Sequence, residues 1–518
     1  MDVAPASSSD VVLGVDIGTT SAKAVAFGID GAAKADAQAG YDLLNPRPGY
    51  AEQDARAVAA ATLEVTAKAA AAAQEAGHRV AGIAFSAAMH SLVGLDGSGA
   101  PVTPLVTWAD ARAADQARRL RRGRGLALHR RTGTPVHPMS PLVKLRWFAE
   151  HDTTARHWVG VKEYVLRELT GELVVDHGIA SATGMFNLAT EAWDEEALAC
   201  AGIGADQLPR LEPTTAVLEL SREGAEKVGL PAGTPLVLGS SDGPLANLGL
   251  GAVQPGTVAC SIGTSGAVRV TTDEPRVDER GRVFCYVLVP GRYVVGGAIN
   301  NGGIVLDWLA DVVAPDVAAE ARERGERIPE ALLELAGRVP PGSGGLLFLP
   351  YLTGERAPHW TPGARGVYLG LTREHRREHL IRAAVEGVCL QLAVVLESLI
   401  GAGIAPDAIR ATGGFSRSAL WRRILADAFG RPVGFASSPE GSSLGAALLG
   451  MTALGMLDSI DRAAELVTVS HSEQPDRDAA ERYARLLPIF DGAYEALSDA
   501  FDALDAAQPE LPLTEEDQ

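Results

Sequence analysis

Two short runs in this chain have the composition of a turn that grips phosphate. Residues 16–25 (DIGTTSAKAV) and residues 261–270 (SIGTSGAVRV) follow one pattern, about half a chain length apart. Each places a Gly-Thr pair at the tip between two apolar runs. In the first copy the tip is Gly18, Thr19, Thr20 and Ser21, followed by Lys23; in the second it is Gly263 and Thr264. Such tips offer backbone N–H groups and hydroxyls with little bulk. They hold phosphate oxygens without the lysine of a Walker loop. Two tips facing each other across a cleft would grip a polyphosphate from both sides. Asp16, directly before the first tip, is placed to hold Mg²⁺, directly or through water. One Gly-Thr-Thr turn alone does no more than close a hairpin; the repetition together with Asp16 favours phosphate. No GxxxxGK[ST] or GxGxxG motif follows a strand.

A third glycine turn lies at 409–416, where Gly413 and Gly414 lead from a strand towards a helix over Ser418–Phe429. Paired glycines permit the close backbone approach that an adenosine-binding turn needs, although any strand-to-helix turn favours glycine. Phosphoryl transfer also calls for a base that orients the attacking hydroxyl. Asp242, after the strand Pro235–Gly239, would project from a strand end into a cleft; the bland alternative is an Asp-Gly turn. A polar-aromatic group, Met89-His90 with Trp108, Asp110 and Arg112, suits a polyol. Indole faces stack on sugar C–H surfaces, and His and Asp bond hydroxyls.

Two motifs point elsewhere. Residues 239–243 satisfy G-x-S-x-G, the Ser-hydrolase elbow, with His359, His375 and His379 downstream. That reading leaves the hairpin echo and the Gly413-Gly414 turn unexplained. Residues 375–379 satisfy H-x-x-E-H, an inverted zinc-protease motif, but in a charged run at a helix start.

The elements that must carry these residues alternate between strand and helix, which predicts an α/β fold. Val11–Val15, Ala22–Phe27 and Val80–Phe85 read as strands and Ala55–Ala76 as a helix. The basic run Arg118–Arg131 reads as a solvated face. The turn Gln254-Pro255-Gly256 marks a boundary between domains over 11–253 and 254–507. The uncharged stretch Gly243–Val268 reads as strand and turn, and Gly441–Leu457 as a buried Ala/Leu/Gly helix. Residues 1–10 and 508–518 read as loose tails.

Composition bounds the function. The 518 residues suffice for about two to four domains, and 47% hydrophobic with 21% charged residues is ordinary globular content. A net charge of −19 argues against nucleic acid and anionic membrane as partners. The four cysteines form no CxxC pair, which excludes a disulfide framework and fits a reducing cytoplasm.

These residues resemble the FGGY carbohydrate kinases, over a span from about Val11 to beyond Leu457. Residues 139–151 (MSPLVKLRWFAEH) match the family's first signature, and residues 366–371 (GVYLGL) with 379–386 (HLIRAAVE) match the second. The H-x-x-E-H motif ends inside that second signature. The resemblance implies two actin-like, RNase H-like domains around a deep cleft, with ATP mainly on the second, sugar on the first, and closure aligning them. It implies that the turn from Asp16 through Lys23 is the first phosphate loop and that Gly263 and Thr264 lie in the second. Gly303, Gly413, Gly414, Phe415 and Ser418 fall at positions near the nucleotide. Asp242 falls at the catalytic base and flanks Mg²⁺ together with Asp16, and Met89, His90, Trp108 and Asp110 fall at sugar-contacting positions.

Within the family, residues 48–54, 86–91, 107–112 and 161–164 look most like gluconate kinases. Xylulose kinases share Met-His but usually approach it through glycine and glutamine; glycerol kinases carry Arg-Glu there. The implied reaction is ATP-dependent phosphorylation of D-gluconate to 6-phospho-D-gluconate. Xylulose or a related ketose or polyol is the nearest alternative, and an actin-like ATPase switch the alternative from another class. A carboxylate substrate needs a cationic partner; Arg112, Lys144 and Lys162 are the candidates, with Lys162 carried forward as a substrate contact. Oligomeric state is not legible, a homodimer being one option.

Overall fold

The computed structural model describes residues 9–436 and 441–507. The expected tail 508–518 and all but the end of 1–10 lie outside the described residues. Two large mixed sheets organise the chain. The first is built from β1 (Asp10–Ile17), β2 (Ser21–Gly28), β3 (Ala33–Gly40), β4 (Arg79–Ala87), β5 (Val217–Glu219) and β6 (Pro235–Ser241), in the order β5-β6-β4-β1-β2-β3. The second is built from β7 (Thr257–Ile262), β8 (Gly266–Thr272), β9 (Phe284–Val289), β10 (Arg292–Ile299), β11 (Ala408–Thr412), β12 (Val433–Ala436) and β13 (Val469–Glu473), in the order β9-β10-β8-β7-β11-β12-β13.

The echo in the sequence is a repeat of topology. In each sheet a Gly-Thr hairpin is antiparallel, its first strand pairs in parallel with a later strand, that strand pairs in parallel with another, and an antiparallel strand closes the edge. The second sheet adds β9 at its outer edge. Central strands lie between helices, so both of their faces must be apolar. Val11, Val12, Leu13 and Val15 of β1 are all fully buried.

Helix α1 (Ala55–Glu75), capped by the Asp54 carboxylate on the Arg56 N–H, packs against β1–β3. Helix α2 (Asp242–Gly249) leaves the end of β6. The stretch 243–249, expected as strand and turn, is therefore helical: Leu245 and Leu248 recur at helical spacing and are fully buried. Helix α3 (Arg377–Gly401) is long and apolar enough to cross a membrane, but 89% of its apolar window is buried inside the protein, as in a core helix. Helix α4 (Ala419–Phe429) follows the Gly413-Gly414 turn, with Ser418 as its N-cap. Helix α5 (Gly441–Ala453), the expected Ala/Leu/Gly helix, comes from the second half of the chain yet packs on α2, β1 and β4 of the first sheet. Together α2 and α5 join the two sheets, with the hairpin tips at the cleft between them. All four cysteines are free and buried.

Candidate active site

Two cavities flank the second hairpin tip. The larger, about 290 Å³, lies between the lobes; Thr19, Met89, His90, Trp108 and Asp242 line it from one side, and Ser261, Gly263, Arg269, Arg356 and Trp360 from the other. The smaller, about 200 Å³, is lined by Gly263, Thr264, Gly303, Leu306, Arg327, Leu333, Gly414, Phe415, Ser418 and Trp421. Gly263 belongs to both, so the tip stands between the two. That is the arrangement a nucleotide needs if its base sits on one side and its terminal phosphate emerges on the other.

The first tip is held firmly. Tyr41 Oη donates to Gly18 O (2.6 Å), Gln53 Nε2 to Thr19 O (2.7 Å) and Trp108 Nε1 to Thr19 Oγ1 (2.8 Å). Of its residues only Thr19 lines the chamber; Ser21 Oγ accepts from Gln38 Nε2 (3.1 Å) and Thr20 O accepts from Tyr41 N (3.1 Å). Lys23 lies across the β1–β2 ladder from Asp16 and lines neither cavity. At the second tip, Gly302 N and Gly303 N donate to Thr264 O (3.0 Å) and Gly263 O (2.7 Å), clasping the tip to the loop after β10. Gly413 adjoins Gly414, which lines the smaller cavity. The φ of Gly413 is 120°, and a Cβ there would meet Ile262 O at 2.1 Å, so the β11 turn can press on β7 only as glycine.

Asp242 opens α2 at the end of β6. Its carboxyl is pushed up to about 6, first by burial and then by the charge of Asp16, against the pull of Arg269 and of the Gly243 N–H (2.8 Å). Asp16, at the end of β1, accepts from Ser86 Oγ (2.6 Å). Among the described residues no cluster of three His, Cys, Asp or Glu is placed to hold a metal. A buried carboxylate whose pKa is raised by the charge of a second one suits Mg²⁺, which takes one or two protein carboxylates and fills its remaining positions with water and substrate phosphate. Asp16 and Asp242 fit that ion.

His90 sits at φ 70°, a backbone state that bulky residues adopt only when the surroundings impose it. Its Nδ1 donates to Ala182 O (2.7 Å), which fixes the tautomer and leaves Nε2 as an acceptor. Burial, with Lys144 and Arg356 nearby, pushes its pKa down to about 3, so the ring is neutral. Lys144, from the first signature, donates to His90 O (2.7 Å) and Thr107 O (2.6 Å), tying the loops of His90 and Trp108 together.

Other expected contacts are engaged elsewhere. The Asp110 carboxylate accepts from Ala51 N (2.7 Å) and Arg112, and Arg112 also bonds Glu52. Lys162 is fully buried, paired with Asp176 (2.5 Å) and donating to Leu238 O (3.1 Å) and Ser240 O (3.2 Å). It secures β6, the strand that presents Asp242, and does not line the chamber. The cations that do line it, Arg269 and Arg356, escaped the sequence reading. Arg269 occupies the position of Ala24 in the first copy of the repeat, and a charge on an otherwise apolar strand was the signal available. Arg356, in a loop, left none.

Both competing motifs have other uses. Ser241 is fully buried and its Oγ has no hydrogen-bond partner, so no histidine activates it. Gly239 takes φ 70° where β6 slips register against β4, and a Cβ there would meet Phe85 O at 1.8 Å. His375 Nδ1 and His379 Nδ1 accept from Thr372 N (2.9 Å) and Arg376 N (3.2 Å), closing the approach to α3.

With this geometry the family follows. The model of the FGGY family of carbohydrate kinases matches in both parts, the N-terminal domain over residues 11–249 and the C-terminal domain over 258–454. The chain belongs to the FGGY family of carbohydrate kinases, with its two-domain, actin-like α/β fold. It is 44% identical over 486 residues to a gluconokinase of Bacillus subtilis (strain 168), spanning 92% of this chain and 94% of that one. Among solved structures it is similar to a gluconate kinase from Lactobacillus acidophilus (TM-score 0.89, 34% identity, 96% of this chain and 99% of that one). It is equally similar to a ligand-bound xylulose kinase from the same organism (TM-score 0.89, 34% identity, 96% and 100%). The backbone therefore gives the family, and side chains must separate the substrates.

Proposed function

We propose that this enzyme transfers the terminal phosphoryl group of ATP to the terminal hydroxyl of D-gluconate, giving 6-phospho-D-gluconate. The observation that carries the reading is the charge of the chamber. With His90 neutral, two arginines face one aspartate, an excess of positive charge suited to an acidic sugar. The 44% identity to a gluconokinase over most of both chains supports it.

In this reading the domains 11–253 and 254–507 close on the substrates. The adenosine lies against Gly303, Gly413, Gly414, Phe415 and Ser418, and the phosphates pass between the tips at Gly18–Ser21 and Gly263-Thr264. Asp242 accepts the proton of the attacking hydroxyl and orients it towards the phosphorus; the ester oxygen forms its bond as ADP leaves. Bound Mg²⁺, held by Asp16 and Asp242, would supply charge neutralisation at the phosphates. Met89, His90 and Trp108 hold the polyol chain. Asp110, Lys144 and Lys162 act behind them, as braces. The test is ADP release with Mg-ATP and D-gluconate, D-xylulose, L-ribulose, glycerol or no sugar. A rise with gluconate is expected; a larger rise with a ketose or glycerol would overturn the substrate, and turnover indifferent to sugars would favour an ATPase switch.

A further inference from the structure

The chamber contains a cation with nothing to hold. Arg269 comes from β8, and its Nη1 is buried without any hydrogen-bond partner. A buried donor with no partner carries a desolvation cost that a ligand can recover. Space has been made for it: a Cβ at Gly296 on the neighbouring strand would lie 2.9 Å from Arg269 Cγ, and one at Gly243 would lie 3.3 Å from its Nε.

The other cations named for this site are engaged. Arg356 Nε donates to Asn300 Oδ1 (2.7 Å) and Nη2 to Ile299 O (3.1 Å), with its Cζ 4.8 Å above the ring of Trp108. Lys144 and Lys162 serve backbone carbonyls, and Arg112 serves Asp110 and Glu52. Arg269 makes no hydrogen bond with Asp242, although each charge is felt by the other. The two therefore face the chamber as separate functional groups, one an acceptor for a hydroxyl proton, the other a fork of donors.

We propose that Arg269 is the specificity-determining residue of the sugar site, its guanidinium receiving the substrate's carboxylate while the terminal hydroxyl lies at Asp242. This rests on the gluconate reading above. A planar fork matches a carboxylate in two parallel hydrogen bonds, which a lysine or a neutral side chain cannot reproduce.

The experiment compares D-gluconate with D-glucitol, the same six-carbon chain bearing a hydroxymethyl group in place of the carboxylate, in wild type, Arg269→Gln and Arg269→Lys. The readouts are the gluconate KM and kcat, the inhibition constant of D-glucitol against gluconate, and calorimetric binding of each sugar without nucleotide. The expected result is a fall of about 10- to 100-fold in the preference for gluconate over glucitol in Arg269→Gln, carried by KM and by binding, with a smaller fall in Arg269→Lys. Should Arg269→Gln fail to fold, Arg269→Lys carries the test, since it keeps charge and reach but loses the fork. An unchanged preference, including one in which both sugars weaken by the same factor, would overturn the proposal. If wild type itself prefers a neutral ketose, the substrate reading fails and the assignment falls with it. If wild type prefers gluconate and the variants do too, the assignment alone fails.

Discussion

The two cavities beside the second hairpin tip are built in different ways. The smaller cavity takes all its lining from the second half of the chain, where glycine turns at Gly263, Gly303 and Gly414 sit beside side chains such as Leu306, Arg327, Leu333 and Phe415. The larger chamber is lined from both halves, Met89, His90, Trp108 and Asp242 against Arg269, Arg356 and Trp360, with glycines at Gly243, Gly263 and Gly266. A cavity built within one half around glycine turns needs glycine at fixed places and leaves a trace in sequence. A chamber assembled from both halves needs only that certain residues meet, and the meeting is a property of topology.

The largest test of that contrast falls on the one chamber residue that occupies a marked position. Asp242→Asn is expected to lower kcat by about 10²- to 10⁴-fold while calorimetric ATP binding is retained; near-full turnover would remove Asp242 from the chemistry. Next comes Lys162→Met, which leaves the Asp176 carboxylate buried without its partner. Denaturant unfolding should show a loss of about 3–5 kcal/mol. If Lys162 instead gripped the substrate, stability would hold and the gluconate KM alone would rise.

Gly413→Ala probes the cavity built within one half. With φ at 120° and Ile262 O in the path of the new Cβ, it should cost about 1–3 kcal/mol of stability and weaken ATP binding more than gluconate binding; the reverse order would erase the contrast between the cavities. The smallest effect is in pH. Asp242 must be ionised to accept a proton, and burial beside Asp16 raises its pKa to about 6. Gluconate kcat/KM should therefore fall as pH drops through about 6. Added Mg²⁺ should move that limb to lower pH, because a cation favours the carboxylate. A flat profile across that range would show that the proton is accepted elsewhere.

Legibility in the sequence followed the same division. The repeat at 16–25 and 261–270 announced both hairpins, and through them the shared topology of the two sheets. The Gly413-Gly414 turn is readable because the backbone state of Gly413 restricts the residue, and the helix expected from Ser418 begins at Ala419 with Ser418 as its cap. Reading Gly243–Val268 as strand and turn missed α2, since an uncharged stretch rich in glycine hides helical spacing until Leu245 and Leu248 are seen buried together. In the sequence Lys162 offers a cation for a carboxylate, and Asp110 falls at a sugar-contacting position of the family. That Lys162 is buried against Asp176, and Asp110 held by its near neighbour Arg112 and by Ala51 N, is a matter of side-chain packing that residue type alone does not reveal. The signature residues Arg382 and Glu386 likewise pair inside the second lobe (2.7 Å), Glu386 also accepting from Tyr483 Oη (2.7 Å), and line neither cavity. They identify the family without touching the chemistry.

In the proposed reaction, phosphoryl transfer occurs at the end of the substrate lying against Asp242. The most direct measurement is the position of the new ester, read by ³¹P and ¹³C NMR on the product of Mg-ATP and D-gluconate. A single phosphomonoester on C6 is expected, with the carboxylate free. An ester at any other carbon, or no sugar ester despite ADP release, would contradict it.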